Sequence, residues 1–200
     1  MNILAVSDLH CDAKATRKIV AESASADVVV AAGDYGIRGK RSVETLAAMI
    51  EIDCPVVLVS GNHDSLTEIQ EFCKERQSWH LLHGSAVEIS SVVFLGIGGE
   101  IPKRGQADWN ETLSEQQAAE LLKVSNKCSV LISHTPPLGF ADIQRDGSHE
   151  GSAAILEAIV QIEPALCLCG HIHHSWGARA EYGSTLIHNL GPTVNWHTVF

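Results

Sequence analysis

Short apolar runs alternate along this chain with segments whose apolar residues recur at helical spacing. Asn2 to Val6 and Val28 to Ala32 read as strands, and Ala13 to Ala24 between them reads as a helix, which predicts a β-α-β opening. Ser42 to Ile52 is predicted as a helix and Pro55 to Ser60 as a buried strand. Another helix opens at Ser65, with Glu68 three residues on in the pattern of a capping box. Leu81 to Ile89 and Ser91 to Ile97, packed tightly around Ser90, predict an antiparallel hairpin, where the sheet changes character. After a long polar loop from Gly98 to Glu111, Thr112 and Glu115 form a second capping-box pattern that opens a helix through Val124. Ser129 to Ser133 returns to strand. A loop from Thr135 to Glu150 precedes a helix over Gly151 to Ile162, a strand over Ala165 to Cys169, and short β segments at Thr185 to Asn189 and Thr193 to Phe200. No repeat or linker interrupts the chain, so residues 1–200 are expected to form a single domain that buries roughly 70% of its unfolded surface.

Polar chemistry is concentrated where these strands end. Asp8-Leu9-His10, Gly33-Asp34, Gly61-Asn62-His63-Asp64 and Ser133-His134-Thr135 each follow an apolar run rich in Val, Ile and Leu, and Gly170-His171-Ile172-His173 follows the shorter run Ala165 to Cys169. Ends of strands are where open α/β sheets build their sites. Asp8 and His10, two apart, fall on one side of an extended segment, as do His171 and His173. Each segment alone has an ordinary reading. Gly33-Asp34 is common turn chemistry, Asn62 suits an Asx turn ahead of Ser65, and His171, His173 and His174 suit a surface histidine cluster. Together they offer two carboxylates, an amide oxygen and four imidazoles besides His63, enough for two metal ions sharing a bridging ligand. The joint pattern predicts a dinuclear metallohydrolase.

Charge narrows the class. With 14 Lys and Arg against 24 Asp and Glu, the formal net charge is −10, which argues against a protein held to nucleic acid by phosphate neutralisation and favours an enzyme of small substrates. No apolar run approaches the ~20 residues of a membrane span, and Met1-Asn2-Ile3 enters a strand with no basic n-region, so a cytoplasmic protein is expected. Cys11, Cys54, Cys73, Cys128, Cys167 and Cys169 lack the spacing of a disulfide framework and read as free thiols.

Taken in order, Asp8-x-His10, Gly33-Asp34, Gly61-Asn62-His63-Asp64, His134 and Gly170-His171-x-His173 resemble the signature of the calcineurin-like metallophosphoesterases, over residues 8 to 173. The stretches Ser133 to Gly139 and Gly147 to Ser152 further resemble the small phosphodiesterase-like branch of that superfamily, which includes the mammalian metallophosphoesterase-domain proteins. The resemblance implies an α/β four-layer sandwich of two mixed β-sheets flanked by helices. It implies that Asp8, His10 and His173 hold one ion and Asn62, His134 and His171 the other, with Asp34 bridging both. A hydroxide shared by the metals would attack phosphorus in line, and His63 would protonate the leaving oxygen or stabilise the transition state. Asp64 would orient His63. One departure stands out: many phosphatases of the family read Gly-Asp-x-x-Asp-Arg-Gly, whereas Ile37 takes the place of the second Asp here, so the support for His63 must differ.

The mixed N and O ligand set fits Mn, Fe, Zn, Co or Ni better than Mg or Ca. The expected reaction is hydrolysis of a small phosphodiester, cyclic nucleotides included. A phosphomonoesterase or phosphoprotein phosphatase and a noncatalytic metal-binding scaffold are the alternatives, and neither stable nucleic-acid binding nor membrane association is expected. Substrate contacts are open. Lys103, Arg104, Trp109 and Asn110 in one loop and Asp142, Arg145 and His149 in another lean over the metals or form a solvated surface. Arg38 grips a phosphate oxygen or caps a turn. Trp79, Trp176 and Trp196 read as core or rim, and Cys167 and Cys169 as small core residues.

Overall fold

The computed structural model describes residues 1–123 and 127–200, so the expected end of one helix at Val124 lies outside the described residues. In chain order the elements are β1 (Asn2–Val6), α1 (Ala13–Ser23), β2 (Val28–Ala31), α2 (Ser42–Ala47), β3 (Val56–Leu58), α3 (Leu66–Lys74), β4 (Trp79–Leu81), β5 (Ser85–Ile89), β6 (Val92–Ile97), α4 (Glu115–Leu122), β7 (Val130–Ser133), α5 (Ala153–Ile162), β8 (Leu166–Cys169), β9 (Arg179–Tyr182), β10 (Thr185–Asn189) and β11 (Asn195–Thr198). They form two mixed sheets. One has the order β11-β1-β2-β3-β4, parallel except for β11. The other has the order β5-β6-β7-β8-β10-β9, parallel at its centre with an antiparallel strand at each edge.

Strand alternation explains the layers. In β1 to β3, Ile3, Ala5, Val28, Val30 and Val57 face Phe94, Val130, Ile132 and Leu168 of the other sheet. Their neighbours Leu4, Val6, Val29, Ala31, Val56 and Leu58 pack outward on Ile19, Leu46, Met49 and Ile69 of the first helical layer. Leu95, Leu131, Cys167 and Cys169 pack outward on Ala118, Leu122, Ile155 and Ile159 of α4 and α5. The result is the expected helix–sheet–sheet–helix sandwich, with the two cysteines of β8 in its core.

Local departures have local causes. The predicted strand Leu81 to Ile89 is two strands in different sheets, with Leu82 still bonded to Leu58 and Gly84 already bonded to Gly96. Gly84 permits the switch because its φ is +63° and a side chain there would strike Leu121. Helix α2 stops at Ala47 instead of Ile52; beyond it, i→i−3 bonds such as Met49 to Leu46 and Ile52 to Met49 suit buried residues spaced every three. The capping box of α4 is built by Ser114 and Gln117, not Thr112 and Glu115. At α3 Ser65 accepts from the Glu68 N–H. Strand β9 escapes the pattern because it is a polar, exposed edge.

Candidate metal centre

The polar segments meet at the C-terminal ends of β1, β2 and β3 in one sheet and of β7 and β8 in the other. Buried Tyr35 ties two of these ends together, its hydroxyl lying 2.8 Å from each of the Ala31 and Val59 carbonyls and sharing its one proton between them. Asp64, 1% exposed, accepts from the backbone N–H groups of Asp34 (2.8 Å), Gly36 (2.9 Å) and Gly61 (2.7 Å) and from the Ser42 hydroxyl (2.7 Å). It thereby locks the loops after β2 and β3 to one another. Asp8, His10, Asp34 and His171 all have positive φ, between 43° and 68°. Convergence of Asp8 with His10, and of His171 with His173, therefore comes from tightly coiled loops and not from the strand pleating that the spacing predicts.

All seven candidate ligands come together in two groups around Asp34. Asp34 Oδ2 lies 3.4 Å from His10 Nε2, which lies 3.3 Å from His173 Nε2; His173 Nε2 is 3.7 Å from Asp8 Oδ1. On the other side Asp34 Oδ1 lies 3.4 Å from His134 Nε2, and Asn62 Oδ1 is 3.1 Å from His134 Nε2 and 3.0 Å from His171 Nδ1. Donor atoms about 2.1 Å from a shared ion would lie roughly 3–3.5 Å apart, so these separations fit two adjacent ions. The chemistry of the donors fits too. His10 Nδ1 donates to the Gly36 carbonyl at 3.0 Å and His134 Nδ1 to the Ala32 carbonyl at 2.8 Å, which turns both Nε2 atoms toward the acceptor oxygens of Asp34. Such a gathering of lone pairs needs positive charge at its centre.

Electrostatics point the same way. Burial alone would raise Asp34, but the imidazoles of His134, His10 and His63 outweigh it and hold the carboxyl well below its usual range. Burial opposes a charge on His134, yet Asp34 beside it raises its pKa to about 9, so without a cation a proton takes the place of one. His171 is pushed down to about 3, first by burial and then by His134. These are the opposed shifts that mark a site.

His63 sits where its backbone N–H donates to Asp34 Oδ1 at 2.8 Å, and its ring lies 4.7 Å from that of Trp109. Asp64 does not orient it, contrary to expectation. The backbone N–H of Arg38 does, donating to His63 Nδ1 at 3.0 Å and leaving the ring proton on Nε2. Burial lowers the pKa of His63, which keeps the ring neutral. This backbone contact replaces the support that Ile37 cannot give. Asp142 and His149 bond to each other at 2.6 Å, and buried Asp142 turns inward to the N–H groups of Gly139 (2.9 Å) and Gly151 (2.8 Å), so its role is to shape its own loop. Sequence reasoning missed two contributors. Trp176, read as core or rim, donates from Nε1 to Asp8 Oδ2 at 3.2 Å and stacks on His173 with ring centroids 4.2 Å apart. Glu100 is 8% exposed and reaches the candidate ligand Asn62 through Asn110. Neither has a motif; Trp176 follows His173 by only three positions, the one local signal available.

Comparison with known proteins places this geometry. The calcineurin-like phosphoesterase family matches the chain over residues 1–175. A UPF0046 protein of Caenorhabditis elegans is 30% identical over 181 residues, covering 80% of this chain and 61% of the worm protein. Human metallophosphoesterase domain-containing protein 1 is 31% identical over 111 residues, 53% of this chain and 30% of the human one. The chain thus matches less than two thirds of the length of either. Among solved structures, TT1561 of Thermus thermophilus superposes with a TM-score of 0.74 at 19% identity, covering 98% of this chain and 97% of that one, a likeness of fold.

Proposed function

Because this chain belongs to the calcineurin-like phosphoesterase family, we propose that it hydrolyses small phosphodiesters at a two-metal centre. Asp8, His10 and His173 would hold one ion, Asn62, His134 and His171 the other, and Asp34 would bridge them. The observation that carries this reading is Asp34 itself, whose two carboxylate oxygens face different imidazoles at 3.4 Å each. Two divalent ions held there would supply an activated water and positive charge for the phosphoryl oxygens. The chain's own residues do the rest. His63, with its proton on Nε2 and its Nδ1 held by Arg38, is set up to donate to a leaving oxygen. Trp109 against His63 and Trp176 against His173 give the site an aromatic rim. That rim suits an esterified substituent better than a bare phosphate dianion, and the net charge of −10 also disfavours the more highly charged monoester. All six cysteines are free, which supports a reducing, cytoplasmic setting. Among the described residues no helix is long and apolar enough to cross a membrane.

The test uses chelator-treated protein reloaded with Mn²⁺, Ni²⁺, Zn²⁺ or Mg²⁺. Hydrolysis of bis-p-nitrophenyl phosphate is expected to need metal, to exceed that of p-nitrophenyl phosphate, and to fall by roughly 10²–10⁴-fold in His63→Ala. Preference for the monoester would replace the diesterase reading with a phosphatase, and metal-independent turnover would remove the two-metal reading.

A further inference from the structure

We infer that Glu100 is a positioning residue for one of the two metal positions, acting on Asn62 through Asn110 and lying beside His171. This rests on the two-metal reading above. Glu100 follows β6 and is fixed by its backbone, its N–H donating to the Glu111 carbonyl (2.9 Å) and its carbonyl accepting from Leu113 (3.0 Å). Its carboxylate is nearly buried. Oε2 accepts from Asn110 Nδ2 at 2.7 Å and from the Arg104 N–H at 3.4 Å, while Oε1 lies 3.9 Å from His171 Nε2.

The polarity of these groups forms a chain of consequences. An amide side chain is almost the same shape when turned over, so only its neighbours decide which end carries oxygen. A carboxylate can only accept, so Asn110 must present its NH₂ to Glu100. Its oxygen then faces outward and accepts from Asn62 Nδ2 at 2.8 Å. That leaves Asn62 Oδ1 toward His134 and His171, the end able to bind a cation. The same segment holds Asn62 by its backbone, since Glu111 N–H donates to the Asn62 carbonyl at 3.0 Å. At His171, Glu100 Oε1 lies 3.9 Å from Nε2, so its negative charge faces the ring edge opposite the Nδ1 that meets Asn62 Oδ1. Asp8, by contrast, is held by the Ser7 hydroxyl, the Trp176 ring N–H and the His171 backbone N–H, none of which bonds to Glu100.

The test is calorimetric titration of metal-stripped protein with Mn²⁺, read beside the melting temperature of the metal-free form. Glu100→Gln can donate to Asn110 and lets the amide chain reverse; it is expected to weaken one of two binding events by roughly 10–100-fold and leave the other unchanged. Asn110→Ala, a loop change, is expected to weaken the same event and covers the case in which Glu100→Gln does not fold. Glu181→Gln on the exposed edge strand β9 is expected to change neither. Two binding events of parental affinity in both Glu100→Gln and Asn110→Ala would overturn the inference. Equal weakening of both events with a lowered metal-free melting temperature would overturn it too, reducing Glu100 to a structural part. A parent protein that binds fewer than two ions would instead remove the two-metal reading on which the inference rests.

Discussion

At the scale of single residues, the centre is made by backbones that side chains ordinarily avoid. A left-handed φ at Asp8, His10, Asp34 and His171 costs each residue conformational energy, and it persists because neighbouring groups determine it more strongly. Two such neighbours are glycines whose importance is room, not flexibility. A Cβ on Gly61 would strike the carboxylate and backbone of Asp34, and one on Gly170 would strike the Asp8 carboxylate and the Ser7 side chain. Gly170→Ala is therefore expected to destabilise the fold by about 1–3 kcal/mol and to impair metal uptake as Asp8 is displaced. Urea denaturation gives the first quantity and ion titration the second; unchanged values of both would show that the loop yields without cost.

At the scale of elements, one helix start is secured by a group far away in sequence. The first turn of α5 has its own cap, Ser152, which accepts from Ile155 at 3.2 Å. It also receives Glu115 of α4, whose carboxylate accepts from the Ala153 N–H (3.0 Å), the Ala154 N–H (2.8 Å) and the Ser152 hydroxyl (2.7 Å). A negative group at a helix N-terminus meets both unpaired N–H groups and the positive end of the helix dipole. Glu115→Ala should lower unfolding stability by about 1–2 kcal/mol, with Glu115→Gln losing less because it still accepts hydrogen bonds. Equal midpoints for wild type and Glu115→Ala in urea would refute the cap. In the sequence Glu115 fits a local capping box, a role that Gln117 takes in the fold.

At the scale of the whole molecule, the two sheets are joined by more than apolar packing. His188 on β10 and His197 on β11 belong to different sheets, and His188 Nδ1 lies 3.1 Å from His197 Nε2. Burial, the largest cause, pushes both down to about 4, with His197 also acting on His188 and Arg179 acting on both. An unfolded histidine titrates near ~6.5, so as pH falls the unfolded chain takes up protons that the folded pair refuses. Stability from this pair is complete above about 6.5, drains away between about 6.5 and about 4, and changes no further below. Urea midpoints measured from pH 7.5 to 4.5 should show a shallower decline in a His188→Gln/His197→Gln variant than in the parent; parallel declines would refute the assignment. The apolar runs such as Val28 to Ala32 and Ser129 to Ser133 determined the strands, because buried parallel strands must be apolar on both faces. The position of Asp8, Asp34, Asn62, His134 and His171 just beyond five strand ends determined that they would meet, since parallel strands of packed sheets deliver their ends to one edge. The tertiary structure alone decided which partner each group faces. The split of Leu81 to Ile89 between sheets, the Arg38 amide on His63 and the Glu100–Asn110–Asn62 chain depend on contacts between segments remote in sequence. Hydrogen-bond direction and burial exist only once those segments are brought together.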